Sequence, residues 1–426
     1  MNRKDFISKL PGVFFIPEII NGMGMPNLED FEYSDSLINE DKTWKKVRSH
    51  FQIDKNFVDL RAFAASPIPK QTLEQFVQKY SHIQSFPSDR NHEIAEGNKE
   101  LLRVKIAQNL NCSFEEVAIM RSTTEALNNA LMGIKLNRGD EVLASIHEYD
   151  SMMATLVQRQ KREGIKVTKV KIPYKPDSKE QILECFKKSV TPKTKLILIS
   201  HIVWISGQIY PIEEICQWAR KKGILTVIDA AQSFSHIETD VTKIDCDYLG
   251  ASLHKWCAAP LGTGFLYIKK ENISNTYPLF GSYNYEANAP RIEKFENFGS
   301  ITPVFNASIN SLDYWTNLGV DKKRLRTQFL KSYLADKLKN INEVEIATNL
   351  EPDNSCGIVY FRIKNKSAYD IRKKLYSQFK ISVQSIENYK NLYVDYNDVN
   401  CIGVSTPVFI LQKQLDYFID SLKKLV

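Results

Sequence analysis

In Ile224-Leu225-Thr226-Val227-Ile228-Asp229-Ala230-Ala231-Gln232, a short apolar run over Ile224–Ala230 carries an acidic residue, Asp229, near its end. Continuous β-branched and aliphatic residues without alternation describe a strand buried on both faces, as in a parallel sheet. Similar runs occur at Glu141–Ser145, Lys166–Pro173, Lys195–Ile202, Asp247–Ser252 and Gly264–Ile268. Helical periodicity fills the gaps, at Thr124–Gly133, Ser151–Glu163, Lys179–Ser189 and Pro211–Lys222. Gly133, Gly164 and Gly223 stand where helix-terminating glycines belong. Strand–helix alternation predicts an α/β fold with a mostly parallel sheet covered on both faces.

Outside this block the pattern changes. Residues 1–70 read as an irregular arm, then a helix from Gln71 to Ser85. A Tyr/Asn/Pro-rich loop spans Tyr277–Arg291, and a basic helix spans Asp321–Asn340. Strands at Ile358–Ile363 and Ile402–Ser405 and helices at Ala368–Phe379 and Leu411–Leu425 predict a small α+β unit. The expected division is an N-terminal arm over 1–70, a large domain over 71–315 and a small domain over 316–426.

The chain has 426 residues and a net charge of +7, too mild a bias over this length to call for a nucleic-acid partner. No apolar run is long enough to span a bilayer. The seven cysteines are scattered without a CxxC, which predicts reduced, mostly buried thiols, no zinc knuckle and a cytoplasmic protein. HExxH is absent, so no metal site is expected. Asn2-Arg3-Lys4-Asp5-Phe6-Ile7 resembles a degenerate twin-arginine export signal, but Pro11, Pro17 and Glu18 interrupt the apolar stretch from Leu10 to Ile20. An ordered arm is the expected reading, with export as the alternative. Lys322-Lys323-Arg324-Leu325-Arg326, with Lys331, Lys337 and Lys339, is expected to be a solvated helix face.

Three elements carry the chemistry. Asp229 ends a buried strand, where open α/β sheets bind ligands. Lys255, in Ser252-Leu253-His254-Lys255-Trp256, comes after another strand among apolar residues. That setting depresses an amine pKa, as an imine-forming lysine requires. Arg121-Ser122-Thr123-Thr124-Glu125 leads into a helix whose N–H groups and hydroxyls suit a phosphate. Each alone has a bland reading: a cap, a solvated lysine, an ordinary Thr N-cap.

Together they resemble the aminotransferase class V group of fold-type I pyridoxal-phosphate enzymes, which includes cysteine desulfurases and isopenicillin N epimerase-like proteins. The resemblance runs from about Phe57 to the C-terminus and is strongest from Arg121 to Ile268. It implies a mixed seven-stranded sheet between helices, a small C-terminal domain, and pyridoxal 5'-phosphate as cofactor in a Schiff base on Lys255. It also implies that Thr123, Thr124, Ser252 and His254 hold the phosphate and that Tyr149 stacks on the ring. Asp229 would pair with the ring nitrogen and Gln232 with the ring hydroxyl. Ser300 would reach the site of the second subunit of a homodimer.

Two positions depart from the family. Gly403, in Cys401-Ile402-Gly403-Val404-Ser405, stands where the family places an Arg that grips the substrate carboxylate. Arg61 is the candidate replacement, with a surface salt bridge as its bland alternative. Trp204 stands where an Asn or small residue is usual, so it would narrow the pocket or belong to the core. No cysteine can be assigned as a persulfide carrier, which favours the epimerase-like branch. The implied activity begins with removal of an α-proton from an amine or amino acid by Lys255 and leads to β-elimination of the C–S type or epimerisation. A class V aminotransferase and a degenerate cofactor-binding homologue are the alternatives.

Overall fold

The computed structural model describes residues 41–85, 89–282, 284–296, 302–390 and 395–426. The chain enters through α1 (Asp41–Ser49), the short β1 (Val58–Asp59), α2 (Lys70–Ser85) and α3 (Asp89–Leu110). The large sheet is built from β2 (Val117–Met120), β3 (Glu141–Ser145), β4 (Lys166–Val170), β5 (Thr194–Ser200), β6 (Leu225–Asp229), β7 (Tyr248–Ser252) and β8 (Gly264–Ile268). Among these lie α4 (Thr123–Gly133), α5 (Asp150–Glu163), α6 (Lys179–Ser189) and α7 (Ile212–Lys221). Two long helices come next, α8 (Thr302–Leu318) and α9 (Val320–Lys339). The C-terminal part contains β9 (Val344–Ile346), β10 (Ile358–Ile363), α10 (Ala368–Phe379), β11 (Ile381–Ser382), β12 (Gln384–Lys390), β13 (Asp395–Ser405) and α11 (Gln412–Lys423).

The seven strands lie in the order β2-β8-β7-β6-β5-β3-β4. All pairs are parallel except those of β8, which runs antiparallel to both β2 and β7. β7 and β8 are buried along their whole length, which explains their lack of alternation. A four-stranded antiparallel sheet, β12-β13-β10-β9, forms the C-terminal part. β1 pairs with β11, and the Ser405 N–H donates to the Leu60 carbonyl at 2.8 Å. The N-terminal segment is thereby laid against the end of β13.

Helix boundaries obey local chemistry. Ser178 and Ser367 accept N–H bonds at the starts of α6 and α10, and Gly164 ends α5 in the left-handed region. Gly133 differs from expectation. It lies inside the last turn of α4 without positive φ, and Ile134 is the C-cap. Glycine is needed there because any β-carbon would collide with the Tyr277 carbonyl. The Tyr277 N–H donates to the Gly133 carbonyl at 3.0 Å.

The basic helix is not the solvated face expected. Lys323, Arg326 and Lys331 are buried, on the core-facing stripe of α9. Lys323 Nζ donates to the Trp256 carbonyl at 2.6 Å and Ser235 Oγ at 3.0 Å, and lies 3.7 Å from the Trp315 ring centre. Lys331 Nζ donates to the Leu350 carbonyl and to Ser355 Oγ. These amines are held by carbonyls and a π-face rather than by water. Lys322, Lys337 and Lys339 remain outside the buried stripe. The seven cysteines are free thiols, five of them buried. No helix among the described residues is long and apolar enough to cross a membrane.

Candidate active site

β5, β6 and β7 end side by side, and their last residues converge. Ser200 pairs in register with Asp229, Asp229 with Gly250, and Ser252 closes β7. Asp229 is buried, and its Oδ1 accepts the Ala231 N–H at 2.9 Å. Burial raises the Asp229 pKa, and the positive Lys255 opposes that rise. Burial lowers the Lys255 pKa, opposed in turn by Asp229. The two groups therefore temper each other's desolvation in one cavity.

The anion seat is formed where α4 begins. Ser122, not a threonine, is the N-cap, its Oγ accepting the Glu125 N–H at 3.2 Å. The Thr123 N–H donates to Ser252 Oγ, and the Thr123 and Ser252 hydroxyls lie 2.8 Å apart. Arg121 is committed to Glu125 at 2.6 Å. Ser122, Thr123, Thr124, Ser252 and His254 all line the cavity with Asp229 and Lys255. His254 Nδ1 is buried without a hydrogen-bond partner among the described residues. Burial and the adjacent Lys255 lower the His254 pKa.

Gln232 lines the same cavity, but its amide is held by the protein. Oε1 accepts Trp256 Nε1–H at 2.8 Å, and Nε2 donates to the Phe63 carbonyl at 3.0 Å. One Nε2 hydrogen remains for a ligand. Tyr149 is 41% exposed and stands at the rim of the cavity. Trp204 meets it edge to face at 5.8 Å and lines the cavity. Arg61 also lines it, with a buried Nε that has no hydrogen-bond partner. Arg61 is in no ion pair among the described residues. Ser300 and the Asn2–Ile7 segment lie outside the described residues.

Two participants escape a reading of the sequence. Glu148 is fully buried; its carboxylate accepts Ser145 Oγ–H (2.7 Å), Ser200 Oγ–H (2.6 Å) and the Ser200 N–H (3.1 Å). Burial pushes its pKa up to about 7, the serine bonds oppose this, and nearby Asp229 adds to it. Glu148 precedes Tyr149, yet nothing local shows that Ser200 will meet it. Tyr360 is the second. It pairs in register with Gly403, and a β-carbon at 403 would lie 2.5 Å from its Cε1 and 2.8 Å from its Oη. The space an arginine would need is filled by a phenol.

The Aminotransferase class-V family matches residues 60–400. The chain belongs to the aminotransferase class V family. Isopenicillin N epimerase of Streptomyces clavuligerus is 26% identical to this class V protein, over 81% of the chain and 90% of the epimerase. A "Probable cysteine desulfurase" of Synechocystis sp. (strain ATCC 27184 / PCC 6803 / Kazusa) is 30% identical, over 72% of the chain and 76% of that protein. The apo structure of a cysteine desulfurase from Thermococcus onnurineus NA1 superposes with a TM-score of 0.79 at 22% identity. That match covers 90% of this chain and 98% of the desulfurase, and shows the shared fold.

The family makes pyridoxal phosphate the cofactor. The cavity fits it by the chemistry of its donors. An amine and a carboxylate line it together, and hydroxyls and an orphaned imidazole nitrogen lie by a helix start.

Proposed function

We propose that this class V enzyme removes the α-proton of an amine-bearing substrate with Lys255 and proceeds to β-elimination or epimerisation. The observation that carries this reading is the pairing of Lys255 with Asp229 in one cavity, each lowering the cost of the other's charge. When bound, pyridoxal phosphate supplies an electron sink for the charge that develops at the substrate α-carbon.

The chain's own residues divide the remaining work. Asp229 would hold a proton on the ring nitrogen, a task suited to a buried carboxylate whose other oxygen is tied to Ala231 N–H. Ser252, Thr123, Thr124 and His254 would seat the phosphate on the dipole of α4. Gln232, fixed by Trp256 and Phe63, would direct its free hydrogen at the ring hydroxyl. Tyr149 would cover the ring. Lys255 Nζ is then the base that takes the α-proton and returns it, or protonates the product. Arg61 takes the carboxylate role that Gly403 lost. Ser405 draws it in, accepting the Ala62 N–H at 2.8 Å and donating its own N–H to Leu60. We read the working unit as a homodimer.

Among the described residues no cysteine lines the cavity, which supports elimination or inversion over transfer of sulfur to an enzyme thiol. The test is exchange of the α-hydrogen in deuterium oxide, with holoenzyme and a panel of amino acids and amines. Lys255-dependent incorporation of deuterium is expected, with D-amino acid or a keto acid as product. Absence of exchange with every substrate, or exchange that survives Lys255→Ala, overturns the reading. Arg61→Ala is expected to raise KM for carboxylate-bearing substrates about tenfold or more.

A further inference from the structure

The cavity containing Lys255 and Asp229 is about 350 Å3 and opens into a second of about 640 Å3. Tyr149, Trp204 and Gln384 line both and form the neck between them. The inner cavity must take the cofactor and the reacting end of the substrate. Anything larger on the substrate is directed outward, between β12, the start of α10 and the Tyr149–Asp150 corner.

The outer cavity has two properties. First, its walls are aromatic and wet. Tyr149, Tyr369 and Tyr389 are 41%, 53% and 37% exposed, a concentration of uncovered rings around one opening. Tyr389 stacks on Tyr396 at 5.9 Å, and Trp204 meets Tyr396 and Tyr149 edge to face. Second, its acids are engaged while its cation is not. Asp150 accepts the Tyr389 hydroxyl at 2.7 Å, and Glu387 accepts Ser367 Oγ–H at 2.6 Å and the Tyr369 N–H at 2.9 Å. Arg372 lines the same cavity and is in no ion pair among the described residues. Its pKa is lowered by burial and by the positive charge of Arg61 across the neck. Asp59, on the segment that carries Arg61, spends Oδ1 on the Arg61 backbone N–H. Arg61 lines the inner cavity and Arg372 the outer one, so a carboxylate at the neck would have a guanidinium on either side.

We propose that the outer cavity is a substrate subsite, taking the planar side group of a bulky acidic amine whose carboxylate lies between Arg61 and Arg372. This rests on the proposed function above and adds to it the substrate class: an acid with a flat, aromatic-sized body rather than a small aliphatic amino acid. Such a body would slide between Tyr369 and Tyr389 while Trp204 sets the width of the neck.

The test is titration calorimetry on holoenzyme with two acids that lack an amine, 3-phenylpropanoate and propanoate. Neither can react, so the readout is binding alone. Burial of one ring predicts 3-phenylpropanoate binding at least about tenfold tighter than propanoate. Arg372→Gln is expected to weaken both acids, on the order of tenfold. Tyr369→Ala is expected to weaken 3-phenylpropanoate and leave propanoate unchanged. Equal affinities of wild type for the two acids, or affinities unmoved by both substitutions, overturn the subsite. The visible absorbance of the cofactor is measured on each sample. Protein that takes up no pyridoxal phosphate refutes the function itself, whereas retained cofactor with indifferent acids refutes only the subsite.

Discussion

Tyr360 lies across Gly403, its Cε1 2.5 Å and its Oη 2.8 Å from where a β-carbon at position 403 would sit. The ring is fully buried, and its hydroxyl has no hydrogen-bond partner among the described residues. Burial raises its pKa, the nearby Cys401 thiol adds to that, and the charge of Arg61 opposes it. Position 403 therefore has no room for a side chain: β10 fills the space above it with the Tyr360 ring, and the nearby charge comes from Arg61 on a third segment.

An arginine placed at position 403 should fail on packing alone. Gly403→Ala already demands that Tyr360 move, and overpacking of this kind costs roughly 1–3 kcal/mol. Thermal or denaturant unfolding is expected to show that loss. Tyr360→Leu combined with Gly403→Ala should recover part of it, a non-additivity expected of residues in contact. Strict additivity of the two changes would refute the coupling.

Lys255→Ala is expected to leave a folded protein that retains no pyridoxal phosphate covalently after borohydride reduction, read by intact mass. Turnover should fall by about 10²–10⁴-fold or more for loss of the general base alone. A reduced adduct on another lysine would displace Lys255 from its role.

Glu148 gives the stability a pH signature. Its pKa is raised to about 7 in the folded protein, so between about 4.5 and 7 the folded state binds more protons than the unfolded one. The contribution is full below the unfolded value and disappears as pH rises through 7. Glu148→Gln keeps a group able to bond Ser145 and Ser200 but cannot ionise. Unfolding free energies measured from pH 4 to 8 should decline less steeply with pH in this variant than in wild type. Parallel curves would show that Glu148 does not titrate in this window.

Lys323 carries the opposite sign. Burial lowers its pKa to about 7, so the unfolded state binds more protons above that pH, and stability should rise from pH 7 towards 10. Lys323→Met removes the ionisable group while retaining contact with Trp315, and should flatten that rise. It should also free the Trp256 carbonyl, seen as a change in tryptophan emission.

Much of the large sheet was legible because each strand declares itself locally. β5, β6 and β8 are recognisable from three or four residues of Val, Ile, Leu or aromatic character, and Asp229 can be located from where such a run ends. β2 was not legible. Val117–Met120 is four residues long and fixed by distant groups: Glu296 accepts the Ile119 N–H at 2.7 Å and pairs with Arg103 at 2.6 Å. Helices α3 and α8 were missed beside it, and they pack on each other. Gln232 was legible as a residue, but not that Trp256 and Phe63 hold its amide. The Tyr360–Gly403 fit was invisible because register between β10 and β13 is set over forty residues of chain. The misreading of α9 has a different cause. Its run of charges suggests exposure, although positions 323, 326, 327, 330, 331, 334 and 338 trace one buried stripe.

Helix α4 is pinned at both ends. Thr123 N–H is bonded to Ser252 at one, and the Gly133 carbonyl to Tyr277 N–H at the other, where no side chain larger than hydrogen fits. A rod fastened in this way cannot piston along its axis. The seat at its tip is a fixed pivot, and the freedom needed during turnover must come from rotating side chains and not from gliding secondary structure. Amide hydrogen exchange along Thr123–Gly133 should accordingly be among the slowest in the molecule, with or without substrate.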